Sequence, residues 1–242
     1  MFYSKLIITV LNFLDNFQKK KILKLFKSKF KKPIVVFDVG GHYGETIKLF
    51  LENLDIKKIY SFEASPVNFK VLKNKTSKYQ TNIVEIFNSA LGEKNSTDYI
   101  NQTLESSSST MHKLNTDSKY LKKKLRILNI KKNEKFYQKL QVKTLTLDYF
   151  IKKNNIDFID LLKIDTEGYE FNILKGLVDY SFKVNLIYFE HHYDDMIIKN
   201  YTFGDIHNLL KKNNFKMIKK SKMIFRKSFE YVYENQNIKI LN

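Results

Sequence analysis

The sequence predicts an α/β fold: a doubly wound, mostly parallel sheet with helices on both faces. Two observations carry this. Short apolar, β-branched runs alternate with helical segments at a regular pitch, as strands and crossover helices of a parallel sheet do. Those runs also end in loops bearing acids or glycines, whereas buried parallel strands have no structural need of carboxylates at their tips.

The elements follow in order. Pro33 opens a strand over 34–37, which runs into Asp38-Val39-Gly40-Gly41-His42-Tyr43-Gly44, and residues 45–54 read as a helix. A second strand over 58–62 ends at Glu63, and Pro66 opens a helix through Lys73. A third, over 82–87, leads into Asn88-Ser89-Ala90-Leu91-Gly92. Residues 93–140 break the pattern with a Ser-rich loop at 106–110 and a lysine-rich helical stretch at 119–135, and read as an insertion within the domain. Regular structure resumes with a helix over 147–153 and a strand over 158–164 ending in Asp165-Thr166-Glu167-Gly168-Tyr169-Glu170. A helix to Gly176 follows, then a strand over 185–189 ending in Glu190-His191-His192, a helix near 202–212, and a strand pair at about 215–220 and 223–233.

The expected organisation is an N-terminal basic amphipathic helical segment, 1–30, followed by one domain, 31–242, with its insertion around 93–140. The N-terminal segment has apolar residues at helical spacing followed by a lysine run. It reads as a terminal helix docked on the domain, with peripheral contact to an anionic inner-membrane face as the sharper alternative. It lacks the charge order and cleavage site of a secretory signal, and the expected location is cytoplasmic.

Composition narrows the chemistry. The 242 residues contain no cysteine, which excludes a disulfide scaffold, zinc thiolates, iron–sulfur clusters and a cysteine nucleophile. The formal charge of +18 is built almost wholly of lysine, with Arg126 and Arg226 the two arginines and no tryptophan. Arginine is the preferred bidentate reader of phosphates and bases, so this charge argues poorly for a nucleic-acid partner.

In an open parallel sheet, ligands bind at the carboxyl ends of the strands. Standing there are Asp38 with Gly40, Gly41, His42 and Gly44; Glu63 with Ala64; Ser89 with Ala90; Asp165 with Glu167; and Glu190 with His191. The glycine spacing matches neither a P-loop nor a dinucleotide loop, and an acid ahead of it would repel a pyrophosphate. Asp38 suits a ligand carrying an ammonium or sulfonium, and Glu63 is placed to accept hydrogen bonds from a ribose diol. Together they describe S-adenosylmethionine.

The chain resembles the FkbM-type methyltransferases. The likeness is carried by VFDVGGHYG at 36–44, FEASP at 62–66, NSALG at 88–92 and the stretch from Val142 to Gly176 with its Lys-Ile-Asp-x-Glu-Gly-Tyr-Glu core. His42 stands where many members carry a smaller polar residue. The resemblance implies a class I methyltransferase fold with seven strands, the last antiparallel, S-adenosylmethionine as cofactor, and O-methylation of a hydroxyl on a sugar, glycan or related metabolite. It implies that Asp38, Gly40 and Gly44 flank the cofactor's methionine part, Glu63 holds the ribose, and Ser89 and Ala90 border the adenine; Gly41, His42, Ala64 and Asp165 complete the expected cofactor wall. From their strand-end positions, Asp165 or His191 is the candidate general base and Glu167 the residue that orients it or the acceptor. Asp165, Glu190 and His191 could instead gather a divalent cation, but no local motif fixes that spacing, and no metal is expected. The competing classes are a non-catalytic cofactor-binding module and a methyltransferase for nucleic acid or a lipid-linked acceptor.

Overall fold

The computed structural model describes residues 20–79, 82–127, 130, 136–223 and 227–238. Its centre is a seven-stranded sheet of β1 (Ile34–Val39), β2 (Ile56–Phe62), β3 (Val84–Phe87), β8 (Ile159–Ile164), β9 (Val184–His192), β11 (Phe215–Lys222) and β12 (Ser228–Asn235). The spatial order is β3-β2-β1-β8-β9-β12-β11. From β3 to β9 all neighbours are parallel, while β12, the last strand, runs antiparallel to both β9 and β11.

On β1 the apolar run is continuous because the strand is covered on both faces. On β1, Ile34 and Val36 face one hydrophobic cluster, and Phe37 and Val39 face the other. The first face is covered by a helix over 20–29, here α1, with α2 (Glu45–Asn53) and α3 (Pro66–Thr76). Phe26 of α1 is fully buried there, edge-on to Phe50 and Tyr188 at centroid distances of 6.3 and 5.6 Å. The second face carries α5 (Leu147–Lys153), α6 (Glu170–Lys175) and α7 (Phe203–Lys212), which pack Phe150, Ile173 and Ile206 onto it. Local chemistry sets the helix starts. Ser65 caps α3 by accepting from Val67 N and Asn68 N, with Pro66 in the first turn, and Thr202 with Asp205 forms a capping box on α7.

The basic N-terminal reading therefore divides. Residues 1–19 lie outside the described residues, and 20–29 dock on the sheet through Ile22, Leu23 and Phe26. Among the described residues no helix is long and apolar enough to cross a membrane.

The segment read as irregular contains its own small sheet. β4 (Ala90–Leu91) pairs in parallel with β7 (Tyr137–Leu145), and β5 (Ser96–Thr103) pairs antiparallel with β7 from Ser96↔Thr144 to Thr103↔Tyr137. The sequence hid these strands because their residues are largely polar and their partners lie some forty residues apart. Beyond β5, β6 (Lys113–Leu114) pairs with β10 (Ile197–Ile198), and α4 (Lys119–Ile127) closes over them. Leu114, Leu121, Met196 and Ile197 form a separate small core that ties the insertion to the chain just after β9. The insertion thus stands over the carboxyl ends of the strands.

Candidate active site

The carboxyl ends of β1, β2, β8 and β9 open into a cavity of about 750 Å³, at the point where strand order reverses between β1 and β8. One wall comes from the loop after β1. Gly40 has φ +85°, and a Cβ there would lie 1.9 Å from the Asp165 carbonyl oxygen, so only glycine lets this loop cross the loop after β8. A Cβ on Gly41 would lie 2.4 Å from Ser61 Oγ. The backbone N–H of His42 donates to Glu63 Oε2 and that of Ser65 to Glu63 Oε1, both at 2.8 Å. These bonds aim the Glu63 carboxylate along the wall, while burial pushes its pKa up against their pull.

Asp38 is fully buried beneath this loop. Its Oδ1 lies 3.0 Å from Lys163 Nζ, and its Oδ2 accepts from Ser61 Oγ at 2.9 Å. Lys163 also donates to the Gly40 carbonyl at 3.2 Å and lies 3.7 Å from Asp165 Oδ2. Burial alone would push this ammonium down, but the Asp38 and Asp165 carboxylates outweigh it and hold its pKa above the usual lysine value. Lys163 is the pin between β8 and the glycine loop.

The opposite wall is acidic. On β9 the two-residue alternation turns Tyr188 and Glu190 into the cavity, and Glu230 on β12 stands directly across from Glu190. The Tyr188 hydroxyl donates to Glu230. Glu167 joins from the loop after β8 with φ +50°, an uncommon conformation for a residue with a side chain. Its carbonyl accepts from Thr110 Oγ1 at 2.8 Å, and burial pushes its carboxyl up to about 7. His192 lies behind, with Nε2 3.5 Å from Glu167 and 3.8 Å from Glu190, and Nδ1 3.6 Å from Asp194. Over the top passes the 104–110 loop, whose Ser106 and Ser109 line the cavity. His42 Nε2 and Ser106 Oγ, 2.8 Å apart, join it to the glycine loop.

A family model described as the methyltransferase FkbM domain matches residues 38–217, which hold the glycine wall and, of the acidic wall, every residue but Glu230. The chain belongs to the FkbM methyltransferase family. The methyl donor of such a methyltransferase is S-adenosylmethionine. The crystal structure of an FkbM methyltransferase from Methylobacillus flagellatus KT shares the fold with TM-score 0.52 and 13% identity, over 84% of this chain and 44% of that one. This chain therefore spans less than half the length of that neighbour. A putative tRNA methyltransferase from Streptococcus pneumoniae shares it at TM-score 0.50 and 13% identity, over 90% of this chain and 71% of that one. No curated protein matches the sequence.

Within this FkbM domain, Gly40, Gly41, His42, Glu63, Ala64, Ser89, Ala90, Asp165 and Glu167 all border the cavity. Three expected residues do not. Asp38 spends its charge on Lys163 under the loop, so it shapes the wall rather than meeting a cation directly. Gly44, at φ +87°, serves the turn into α2. His191 is corrected most: β9 alternation turns it to the other face, among Tyr193, Tyr201 and Phe203, where burial pushes its pKa down to about 3. It can neither reach an acceptor in the cavity nor join Asp165 and Glu190 around a cation. The residues missed were Lys163, Tyr188, His192 and Glu230. Lys163 had a signal, being a charge just after Leu161-Leu162 near the carboxyl end of its strand, and Tyr188 and His192 share the period of Glu190. Glu230 had none, because its place depends on the antiparallel register of β12.

Proposed function

We propose that this protein transfers a methyl group from S-adenosylmethionine to a hydroxyl of a sugar, glycan or related polyhydroxylated metabolite. The single observation behind this reading is that one cavity joins a glycine-and-Glu63 wall to a wall of hydrogen-bond acceptors, Asp165, Glu167, Glu190 and Glu230. Carboxylates at that density suit an acceptor rich in hydroxyl donors.

The residues on the first wall fit the cofactor. Gly40 and Gly41 leave bare backbone for close approach, Glu63 offers carboxylate oxygens, and the buried Ser89 Oγ lacks a protein hydrogen-bond partner. Glu63 would hold the ribose diol and Ser89 the adenine end. When bound, the cofactor supplies an electrophilic methyl group, and the protein supplies placement and proton handling. An acceptor hydroxyl becomes a useful nucleophile once a nearby base holds its proton. We assign that base to Glu167, because its carboxyl near 7 leaves much of it ionised at neutral pH and ready to take a proton. Asp165, exposed at the cavity mouth and next to Lys163, orients the acceptor.

The exposed Lys122 and Lys123 on α4 favour an acceptor carrying an anionic group outside the cavity, such as a sugar nucleotide. Lys124 is committed to Glu105 at 3.1 Å and to Ser108. The test is release of S-adenosylhomocysteine with panels of sugar nucleotides and polysaccharide fragments, comparing wild type with Glu167→Gln. Turnover should fall roughly 10²–10⁴-fold in the variant with cofactor affinity retained. Wild-type turnover rises with pH as the Glu167 carboxyl ionises, with a midpoint near 7 that the variant lacks. Equal turnover of both proteins would remove Glu167 as the base, and methylation of RNA but no hydroxylated metabolite would overturn the acceptor class.

A further inference from the structure

The acidic wall poses a physical problem. Glu167, Glu190 and, from α6, the fully buried Glu170 gather in a region shielded from water. Carboxylates this close and this dry take up protons from solvent unless a cation sits among them. Lys163 does not serve, since it is held by Asp38 and the glycine loop. Lys124 approaches Glu167 from the insertion but is paired with Glu105. Lys199, after β10, donates to the His192 carbonyl. The group between the carboxylates is the His192 imidazole, whose Nε2 lies at nearly equal distances, 3.5 and 3.8 Å, from Glu167 and Glu190.

We infer that His192 is a positioning residue: a buried imidazolium that keeps Glu167 ionised beside the acceptor, itself held in orientation by Asp194. This rests on the reading of Glu167 as the base. Asp194 is fixed for the task, because its Oδ1 accepts from Met196 N at 2.9 Å while its Oδ2 faces Nδ1 at 3.6 Å. Glu170 is turned away, accepting from Gly168 N at 2.9 Å and from the Tyr201 hydroxyl at 3.1 Å. The imidazole thus has carboxylates near both nitrogens, an environment that favours its charged form. Burial pushes the other way, but Glu167, Asp194, Glu190 and Glu170 together outweigh it and raise the imidazole to about 10. The adjacent His191 makes the contrast, being driven neutral among aromatic rings on the other side of the same strand.

The full chain, labelled for carbon and nitrogen NMR, gives the test without a known acceptor, reading imidazole nitrogens and glutamate carboxyl carbons against pH. One imidazole should stay protonated through pH 8 in the wild type and vanish from the spectrum of His192→Gln. In that variant the Glu167 carboxyl should titrate roughly 1–3 pH units higher, and His192→Lys should restore it by returning the charge. Glu167→Gln gives the converse, a lower imidazole midpoint for His192, should His192→Gln prove unstable. S-adenosylhomocysteine affinity should be unchanged in all three. A Glu167 carboxyl that does not move in His192→Gln, or a His192 imidazole that is neutral at pH 7 in the wild type, overturns the inference. Unimpaired methyl transfer by Glu167→Gln would instead sink the base assignment alone, leaving the measured pairing in place.

Discussion

The two walls of the cavity are built on different principles. The wall of Gly40, Gly41, Glu63 and Ser89 is made of backbone and strand ends: amide hydrogens aim its carboxylate, and its buried charge is cancelled internally by Lys163 against Asp38. The wall of Glu167, Glu190 and Glu230 is made of side chains from separate elements, roofed by an insertion with its own small core. The first is as stiff as the sheet that carries it. The second can change its chemistry one residue at a time without disturbing the first.

Substitutions can break this contrast, the largest effects falling on the stiff side. Gly40→Ala drives a methyl into the Asp165 carbonyl at a positive φ and should cost about 4 kcal/mol or more, with loss of S-adenosylhomocysteine binding in calorimetry. Lys163→Met strands the Asp38 carboxylate without its cation and should cost about 3–5 kcal/mol in denaturant unfolding. Adding Asp38→Asn to it should return much of that loss, and no recovery would show that the pair is not the pin described. On the other face of β9, outside both walls, His191→Phe should leave cofactor binding intact and flatten the acid limb of stability. The wild-type imidazole resists protonation down to about 3 while the unfolded chain accepts a proton near 6.5. Stability is therefore lost as pH falls through that window, and a melting series from pH 7 to 4 should show less of the loss in the variant. The smallest effect belongs to Ser106→Ala, which removes one bond to His42 and should lower stability by about 0.5–1.5 kcal/mol.

The same division governs what could be read from sequence. Strands β1, β2, β8 and β9 announce themselves because burial makes most of their residues apolar, and their ends hold Asp38, Glu63, Asp165 and Glu190. Strands β5 and β7 do not, since they cover one another with polar residues. Of the adjacent pair His191 and His192, the sequence favoured His191, which β9 turns to the other face. The alternation from Tyr188 through Glu190 puts His192 on the cavity side, but only once Glu190 is known to face the cavity. Asp38 was read as a partner for a ligand's cation because Lys163, more than a hundred residues later, becomes its neighbour only through the pairing of β1 with β8.

The hydrogen bond between His42 and Ser106 joins the glycine wall to the roof over the acidic wall. It is a direct link through which ordering of one half can be passed to the other. A ligand that steadies the glycine loop also steadies the roof over the acceptor, so the second molecule to arrive meets a wall whose ordering cost has already been met. Linkage makes this reciprocal: whatever factor cofactor adds to acceptor affinity, acceptor adds to cofactor affinity. After transfer the same bond works in reverse, each spent molecule helping to retain the other, which makes parting from the products a candidate for the slow step of turnover.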